Sequence, residues 1–292
     1  MSITTTPPPD RAETLPEQAT RPAVLAAWLN QVEAALADRP QDTALAWRRA
    51  GLLRALGRLE AATAAYEAVG SPAALDLAAL LRGAAVGEAG PAGPARFVRV
   101  PGVLEPAQYR ELWDLVAGAA LDPAQIGGKG EERLEPGARQ AALLQDVTPL
   151  RSWFLALVTD LAVRARVPER LGLEALPAGL RELQVTRHLD GGFYRLHYDA
   201  GKPGDPSATR RLTYVYYFHR MPRRFAGGDL LLCDQGPDGR RAAELGFTRL
   251  EPMDNSLVFF ASDRLHAVTP VTMQSSDPLD GRWTVNGWLH RL

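Results

Sequence analysis

The segment Phe193–Asp199, FYRLHYD, decides the fold, because it lies within a series of short strand-like runs that begins after Leu180. Aromatic and β-branched residues are frequent in these runs, and Gly, Pro or Asp residues separate one run from the next. The other clear runs are Leu183–His188, Leu212–Phe218, Leu230–Cys233, Ser256–Ala261 and Trp283–Leu289. Few helical segments fall among them, so the pattern predicts a β-sandwich or jelly-roll rather than a wound βαβ sheet.

The amino-acid composition of the chain changes three times before this series of strand-like runs. Residues 1–22 are polar and rich in Pro and Thr, which is typical of a disordered tail. Residues 23–86 are dominated by Ala, Leu, Arg and Glu at helical spacing, and residues 87–96 have the composition of a linker. We therefore expect an α+β protein, in which a small α-helical region precedes a β-rich domain over residues 97–292.

In the first part of the β-rich domain, apolar residues recur at the spacing of α-helices. Pro106–Ala119 and Pro149–Ala165 have the apolar spacing of amphipathic helices, so we expect them to support the strands. Between them, Ala120–Gln145 is rich in glycine and charge. This segment is expected to form a mobile loop near the mouth of the jelly-roll.

One pair of helices in the N-terminal region resembles a tetratricopeptide unit. Ala50 lies on the inner face of the first helix and Ala62 on that of the second, with Gly57 between them. Small residues allow two helices to approach closely, and such a helix–turn–helix unit spans about 34 residues. The flanking helices do not repeat the pattern. The region is expected either to bind a partner protein in a groove or to cap the β-rich domain.

Composition and charge narrow the class of protein. The 292 residues include 33 Lys and Arg against 34 Asp and Glu, a net charge of −1. Such a chain has no overall positive field to hold nucleic acid or an anionic membrane. No apolar run approaches the roughly 20 residues needed to cross a bilayer, the N-terminus lacks a secretory pattern, and Cys233 is the single cysteine. We expect a cytoplasmic enzyme or binding protein without a nucleic-acid or membrane partner.

Three residues have the spacing of a metal site. His197 and Asp199 are two residues apart on a predicted strand, so their side chains point to the same face. His266 follows the strongly apolar strand Ser256–Ala261. Two imidazoles and one carboxylate on one face of an octahedron are the ligand set of non-haem iron(II) oxygenases. Mixed nitrogen and oxygen ligation also suits zinc, so ligand type alone does not choose the metal.

Arg282 adds a further signal, at the start of the last strand-like run. A guanidinium in this position could pair bidentately with a carboxylate ligand. The alternative is a surface arginine in a Gly-Arg turn. The combination of Arg282 with the three candidate ligands favours a site for a metal and a carboxylate.

From Phe97 to Leu292 the sequence resembles the prolyl 4-hydroxylase-like branch of the 2-oxoglutarate/iron(II) dioxygenases. The ordered motifs that carry the resemblance are His197–Asp199, Arg211–Phe218, Gly227–Leu230, His266 and Arg282–His290. The resemblance implies a double-stranded β-helix, or jelly-roll, that uses Fe(II), 2-oxoglutarate as cosubstrate, and O2. It also implies that His197, Asp199 and His266 bind the iron and are essential for catalysis.

The same resemblance suggests which residues bind the cosubstrate. Arg282 would bind the C5 carboxylate, and Tyr217 would donate a hydrogen bond to the same group unless it is only a core aromatic. Thr284, two residues after Arg282, is a further candidate. The family often has a tyrosine nine residues before the first ligand, where this sequence has His188. His188 would replace that phenol as a donor or shape a different substrate pocket, and Tyr194 would take part of its role.

The implied activity is hydroxylation of a C–H bond, with conversion of 2-oxoglutarate to succinate and CO2. The expected substrate is a prolyl residue of a peptide or protein, with a free amino acid or secondary metabolite as the alternative. Two other classes stay open. One is a non-enzymatic jelly-roll binding protein with a structural metal, and the other is a cupin-like enzyme that uses zinc or manganese.

Overall fold

The structure is a computed structural model that describes residues 20–83, 93–126, 133–236 and 246–292. Within these ranges it contains seven α-helices and fourteen β-strands. Most of the predicted tail, the first half of the predicted linker and the Gly-rich centre of the predicted loop lie outside the described residues. No helix in the described ranges is both long and apolar enough to cross a bilayer.

Seven antiparallel strands form the larger sheet. In spatial order they are β1 (Phe97–Pro101), β11 (Ser256–Ala261), β7 (Arg210–Phe218), β14 (Arg282–His290), β5 (Gln184–His188), β4 (Ala142–Leu144) and β2 (Leu121–Pro123). The two longest strands, β7 and β14, are neighbours at its centre. The strand runs expected from the sequence agree with these bounds to within two residues.

A smaller antiparallel sheet holds the first and last of the three candidate metal ligands in sequence. Its strands, in spatial order, are β10 (Phe247–Leu250), β9 (Leu230–Cys233), β12 (His266–Val268), β6 (Phe193–His197) and β3 (Arg139–Gln140). A separate ribbon pairs β13 (Val271–Met273) with β8 (Phe225–Gly227). His197 ends β6 and His266 begins β12, so the strand ends position both imidazoles.

The strands are apolar on both faces because each sheet is covered on both sides. On β9, Leu230 and Leu232 share an apolar cluster with Tyr217 of β7 and with Phe260 of β11, which joins the two sheets. Tyr216 of β7 belongs instead to a second cluster, with the helices that cover the larger sheet. Successive residues of a strand point to opposite faces, so these strands contribute to two cores at once.

Seven helices cover the outer faces of the two sheets. They are α1 (Pro22–Asp38), α2 (Thr43–Ala55), α3 (Leu59–Val69), α4 (Pro72–Leu81), α5 (Pro106–Ala117), α6 (Thr148–Arg164) and α7 (Val167–Leu171). The Asp42 carboxylate caps α2 by accepting hydrogen bonds from two backbone N–H groups of its first turn. Gly70, with φ +68°, ends α3 in the left-handed conformation that glycine adopts without strain. Local sequence signals therefore set the ends of these helices.

The N-terminal helices α1–α4 pack on the outer face of the smaller sheet. Leu231 and Phe247 from that sheet lie in one apolar cluster with Leu25 and Leu53. Arg54 donates to both carboxylate oxygens of Asp234 at 3.1 and 2.5 Å, and both side chains are buried. The four helices thus form a layer on the β-rich region, here called the helical layer. The predicted domain boundaries and the predicted partner protein of this region stay predictions.

The prediction of a loop over residues 120–145 was wrong in part. Within its described residues, β2 and β4 extend the larger sheet, and β3 pairs with β6 in the smaller one. These strands are only two or three residues long, too short to show an alternating pattern in the sequence. Their pairing depends on the neighbouring strands, so residues 139–144 join both sheets beside the candidate site.

Candidate functional site

The three predicted metal ligands come together where β6 and β12 pair. His197 and His266 are direct partners in the antiparallel register. The carboxylate of Asp199 approaches both rings, with Oδ1 at 3.6 Å from His197 Nε2 and Oδ2 at 3.4 Å from His266 Nε2. One ligand atom from each residue lies within 4.8 Å of the other two, and no second group of this kind occurs in the described ranges. The arrangement can hold one metal ion.

Backbone carbonyls set the orientation of both imidazoles. His197 Nδ1 lies 2.7 Å from the oxygen of Arg195, and His266 Nδ1 lies 2.8 Å from the oxygen of Arg264. A carbonyl only accepts, so each Nδ1 donates and each Nε2 keeps its lone pair for a metal. Burial lowers the pKa of His266 to about 4, the charge of His197 acts in the same direction, and Asp199 opposes both. His266 is therefore neutral near pH 7, as a ligand must be.

Two buried hydroxyl groups fix the carboxylate of Asp199. Thr213 Oγ1 donates to Asp199 Oδ2 at 2.8 Å and lies 3.0 Å from Ser262 Oγ. Burial raises the pKa of Asp199, but His266 and His197 together outweigh this effect and hold the pKa below its usual range. Asp199 is thus an oriented anion. Thr213 and Ser262 were not predicted as site residues, because a single hydroxyl residue on a strand carries no recognisable spacing.

Arg282 is a buried cation that has no acidic partner among the residues that the structure describes. Only 2% of the residue is exposed. Its Nε donates to the oxygen of Gly228 at 2.6 Å, and its Nη1 lies 3.3 Å from Nδ1 of His188, its direct partner on β5. No carboxylate in the described part of the chain forms an ion pair with it, and Asp229 is already bound to Arg249 at 2.5 Å. Burial lowers the pKa of Arg282, opposed by Tyr217 and Asp229.

Two further donors beside Arg282 lack acceptors among the described residues. They are the hydroxyl group of Tyr217 and Nε2 of His188, and both are buried. Burial, Arg282 and Arg139 hold the pKa of His188 far below its usual value, so the ring is neutral. Since Nδ1 faces a donor, Nε2 carries the hydrogen. Buried donors without acceptors are costly, and one carboxylate ligand would satisfy them together with the guanidinium.

A pair of glycines allows the backbone to approach Arg282 closely. Gly227 and Gly228 have φ values of +69° and +68°, which side chains rarely tolerate. A Cβ atom at Gly228 would lie only 2.4 Å from Cδ of Arg282. The Gly-Gly turn between β8 and β9 is therefore required for the hydrogen bond from Arg282 to the oxygen of Gly228.

The two other predicted contacts lie in the same region. The ring of Tyr194 stacks on the ring of His197, with centroids 3.5 Å apart and an angle of 17° between the planes. Thr284 is opposite Tyr217 in the register, and its hydroxyl donates to Asn286 Oδ1 at 3.3 Å. All eight predicted site residues line one cavity of about 1040 Å³. Their predicted roles in binding stay predictions.

The sequence did not identify Arg139, which lines the same cavity. This residue is the direct partner of Tyr194 in the pairing of β3 with β6. Its guanidinium carbon lies 4.9 Å from the centroid of the Tyr194 ring. Arg139 was missed because it falls in the segment expected to be a loop, and only the pairing of β3 brings it to the site.

The comparison with known families concerns the segment that carries this site. Residues 183–290 match the sequence profile of the 2OG-Fe(II) oxygenase superfamily. The match covers less than half of the chain. An uncharacterised PKHD-type hydroxylase of Synechocystis sp. is 38% identical over 133 residues, 44% of this chain and 43% of the relative. The chain therefore matches less than half the length of this curated relative.

Solved oxygenase structures resemble about two thirds of the chain. A Pseudomonas putida prolyl-4-hydroxylase is 21% identical, with a TM-score of 0.46 over 68% of this chain and 94% of that chain. A Trichoplax adhaerens prolyl hydroxylase in complex with a hypoxia inducible factor peptide fragment is 16% identical, with a TM-score of 0.46 over 66% of this chain and 83% of that one. The predicted oxygenase family is confirmed for residues 183–290, and the predicted α+β fold with a jelly-roll is confirmed.

Proposed function

We propose that this protein is an Fe(II)- and 2-oxoglutarate-dependent oxygenase that hydroxylates a C–H bond. One observation carries the proposal. The cavity that contains three metal-ligand atoms within 4.8 Å of one another also contains Arg282, a buried cation that forms no ion pair within the described residues. A metal ion and a dicarboxylate would use these two features together. The superfamily of residues 183–290 and the hydroxylase relative support the same reaction class.

His197, Asp199 and His266 would hold the iron. Three protein ligands leave the remaining coordination positions of an octahedral ion open to cosubstrate and O2. Thr213 keeps Asp199 oriented, and the two backbone carbonyls keep both imidazoles in the tautomer that can bind a metal. The ligand set is therefore held in position by its own hydrogen bonds.

Arg282, Tyr217 and His188 would bind the distal carboxylate of 2-oxoglutarate. Bound together, iron and 2-oxoglutarate would supply the oxidising chemistry, in which O2 is consumed and 2-oxoglutarate is converted to succinate and CO2. The protein contributes binding and orientation. Leu230 and Val268 add apolar surface to the lining of the cavity, which limits water near the reacting groups.

The substrate enters the same cavity, which at about 1040 Å³ has room for more than one small molecule. A prolyl residue of a peptide or protein is the first class to test, and a free amino acid or secondary metabolite is the second. Binding of a partner protein by the helical layer is a separate prediction, and the oxygenase reaction does not depend on it.

The proposal is tested by succinate formation from 2-oxoglutarate and O2 after anaerobic loading with iron. We expect the wild type to form succinate slowly even without substrate, and His197→Ala to form none. Arg195→Ala is the matched control, because Arg195 lies on the same strand but its side chain is exposed and does not line the cavity. A wild type that forms no succinate and is not stabilised by 2-oxoglutarate would contradict the proposal.

A further inference from the structure

Arg139 is a cation of the cavity that the proposed reaction leaves unused. Its guanidinium lies over the ring of Tyr194, and that ring is stacked on His197 at 3.5 Å. Two ring contacts therefore connect Arg139 to a candidate metal ligand. A group bound by Arg139 would lie close to the metal centre, on the side of the smaller sheet.

Within the described residues, Arg139 has no counter-ion, unlike Arg210 of the same cavity. Within the described ranges, its only hydrogen bond is from Nη1 to the oxygen of Gln125 at 3.4 Å, and its Nε is buried without an acceptor. Arg210 differs, because Glu182 accepts two hydrogen bonds from it at 2.8 Å each. An unpaired guanidinium with a buried donor is costly unless a ligand supplies an anion.

The other acids of the cavity lining are engaged elsewhere. Asp122 accepts from Gln145 Nε2 at 2.9 Å, and Asp205 accepts from the hydroxyl of Ser207 at 2.6 Å. Neither forms an ion pair with Arg139 in the described part of the chain. Within the described residues, Arg139 therefore has no direct carboxylate partner in the cavity.

Loading of the site with a divalent ion and 2-oxoglutarate would add no net charge to the cavity. The formal charges of a divalent ion, Asp199, Arg282 and the 2-oxoglutarate dianion cancel one another. A guanidinium remains protonated in proteins, so Arg139 stays a cation in the loaded enzyme. An anionic group on the substrate could accept charge-assisted hydrogen bonds from this cation.

Exposed apolar side chains lie along the same cavity. Leu134, Leu180 and Tyr198 line it and are 57%, 62% and 42% exposed. Apolar groups at the mouth of a cavity favour a ligand whose body is apolar. A cation near the metal and an apolar mouth together suit an amphiphilic acid.

We propose that Arg139 binds a carboxylate of the substrate, and that the substrates are carboxylates with an apolar body. This inference rests on the proposed oxygenase function. The carboxylate would belong either to an amino acid or to an acidic side chain of a peptide. Arg139 would then determine specificity, while Arg282 binds the cosubstrate.

Calorimetric titration under anaerobic conditions tests this inference without turnover. The protein is loaded with Fe(II) and 2-oxoglutarate, and matched acids and amides are then titrated. One pair is N-acetyl-L-proline and N-acetyl-L-prolinamide, and the other is N-acetyl-Pro-Glu-amide and N-acetyl-Pro-Gln-amide. We expect at least one acid to bind at least about tenfold more tightly than its amide, as one charge-assisted contact would give. The pair that shows the preference identifies the source of the carboxylate.

The preference should disappear in Arg139→Gln and persist in Arg195→Gln, which removes the same charge from an exposed position on β6. No preference in either pair, including no binding at all, would overturn the inference, as would a preference that persists in Arg139→Gln. A titration of 2-oxoglutarate into each protein, carried out first, distinguishes a failure of this inference from a failure of the proposed function. Weaker cosubstrate binding by Arg139→Gln would make Arg139 a cosubstrate residue and overturn the inference. If the wild type bound no 2-oxoglutarate, the result would contradict the proposed function and therefore also the inference that rests on it.

Discussion

Arg282 combines three properties that suit a carboxylate ligand: burial, a planar guanidinium and a position fixed by the oxygen of Gly228. Arg282→Lys would keep the charge but lose the planar fork that can make two parallel hydrogen bonds. We expect the concentration of 2-oxoglutarate needed for half-maximal succinate formation to rise about tenfold or more, a change of about 1.4 kcal/mol. The measurement is succinate formation against 2-oxoglutarate concentration.

The control for this substitution is Arg187→Lys, on β5. Arg187 lies over the ring of Trp283 and does not line the cavity. An unchanged 2-oxoglutarate requirement in Arg282→Lys, with the circular dichroism of the wild type, would show that Arg282 does not bind the cosubstrate.

His188 makes the stability of the metal-free protein depend on pH. Arg282 on β14 and Arg139 on β3 both face it, and together with burial they hold its pKa far below 6.5. Below pH 6.5 the unfolded chain binds a proton at His188 and the folded protein does not, so the free energy of unfolding decreases as the pH falls. Between pH 7.0 and 5.5 this contribution is about 1 kcal/mol.

Urea unfolding at these two pH values checks this effect. His188→Gln removes the titrating group, so we expect its loss of stability between pH 7.0 and 5.5 to be smaller than that of the wild type. The comparison cancels the contributions of the other histidines. Equal losses in the two proteins would mean that His188 is not held neutral in the folded state.

At the residue scale, the sequence predicted the residues whose signal is chemical type at a fixed spacing. His197 and Asp199 are two apart on the predicted strand, and the structure places both beside His266, although β6 ends at His197. The sequence did not predict Thr213 or Arg139 as site residues, because each contributes only through the residues that folding brings next to it. Thr213 lies 14 residues from Asp199 in the chain. Arg139 comes next to Tyr194 only because β3 pairs with β6.

At the scale of elements, the ion pair between α2 and β9 connects the helical layer to the smaller sheet. The side chains of Arg54 and Asp234 are only 4% and 11% exposed. Arg54→Met would leave a buried carboxylate without its partner, so we expect the free energy of unfolding to fall by about 3–5 kcal/mol. Urea unfolding measures the loss.

A second ion pair on the same helix supplies the control. Arg49 of α2 pairs with Glu33 of α1 at 3.0 Å, but their side chains are 39% and 43% exposed. Arg49→Met should cost less than about 1 kcal/mol, because water screens an exposed pair. Similar losses in Arg49→Met and Arg54→Met would contradict the importance given to the buried pair.

The sequence predicted long elements better than short ones. Strands β7, β9, β11 and β14 and helix α6 lie within two residues of their expected bounds, because repeated apolar residues define them. Strands β2, β3 and β4 were missed, since two or three residues show no periodicity. These short strands form edges of the two sheets, and β3 contributes Arg139 to the cavity.

At the scale of the whole molecule, the helical layer and the smaller sheet share one apolar core. Leu25 and Leu53 of the layer lie in the same cluster as Leu231 and Phe247 of the sheet. Arg249 also donates to the oxygen of Ala55 at 2.8 Å and to Asp229 at 2.5 Å. Elements that share a core and buried ion pairs are expected to unfold together.

Urea unfolding of the full chain tests this cooperativity. Far-ultraviolet circular dichroism reports mainly on the helices. The fluorescence of Trp283 and Trp288 of the larger sheet, and of Trp113 and Trp153 packed on its core, reports on the rest of the molecule. A variant with Trp28→Phe and Trp47→Phe removes the fluorescence of the helical layer. We expect coincident midpoints from the two signals. A helical transition at clearly lower urea would show that the layer folds as an independent unit.

The central claim is that the three ligands and Arg282 form one site for a metal and 2-oxoglutarate. Its most direct test is calorimetric titration of 2-oxoglutarate into the protein without O2, with and without Fe(II). We predict one 2-oxoglutarate bound per chain in the presence of Fe(II), and at least about tenfold weaker binding without the metal or in Asp199→Ala. Equal binding with and without Fe(II), or no binding in its presence, would contradict the account.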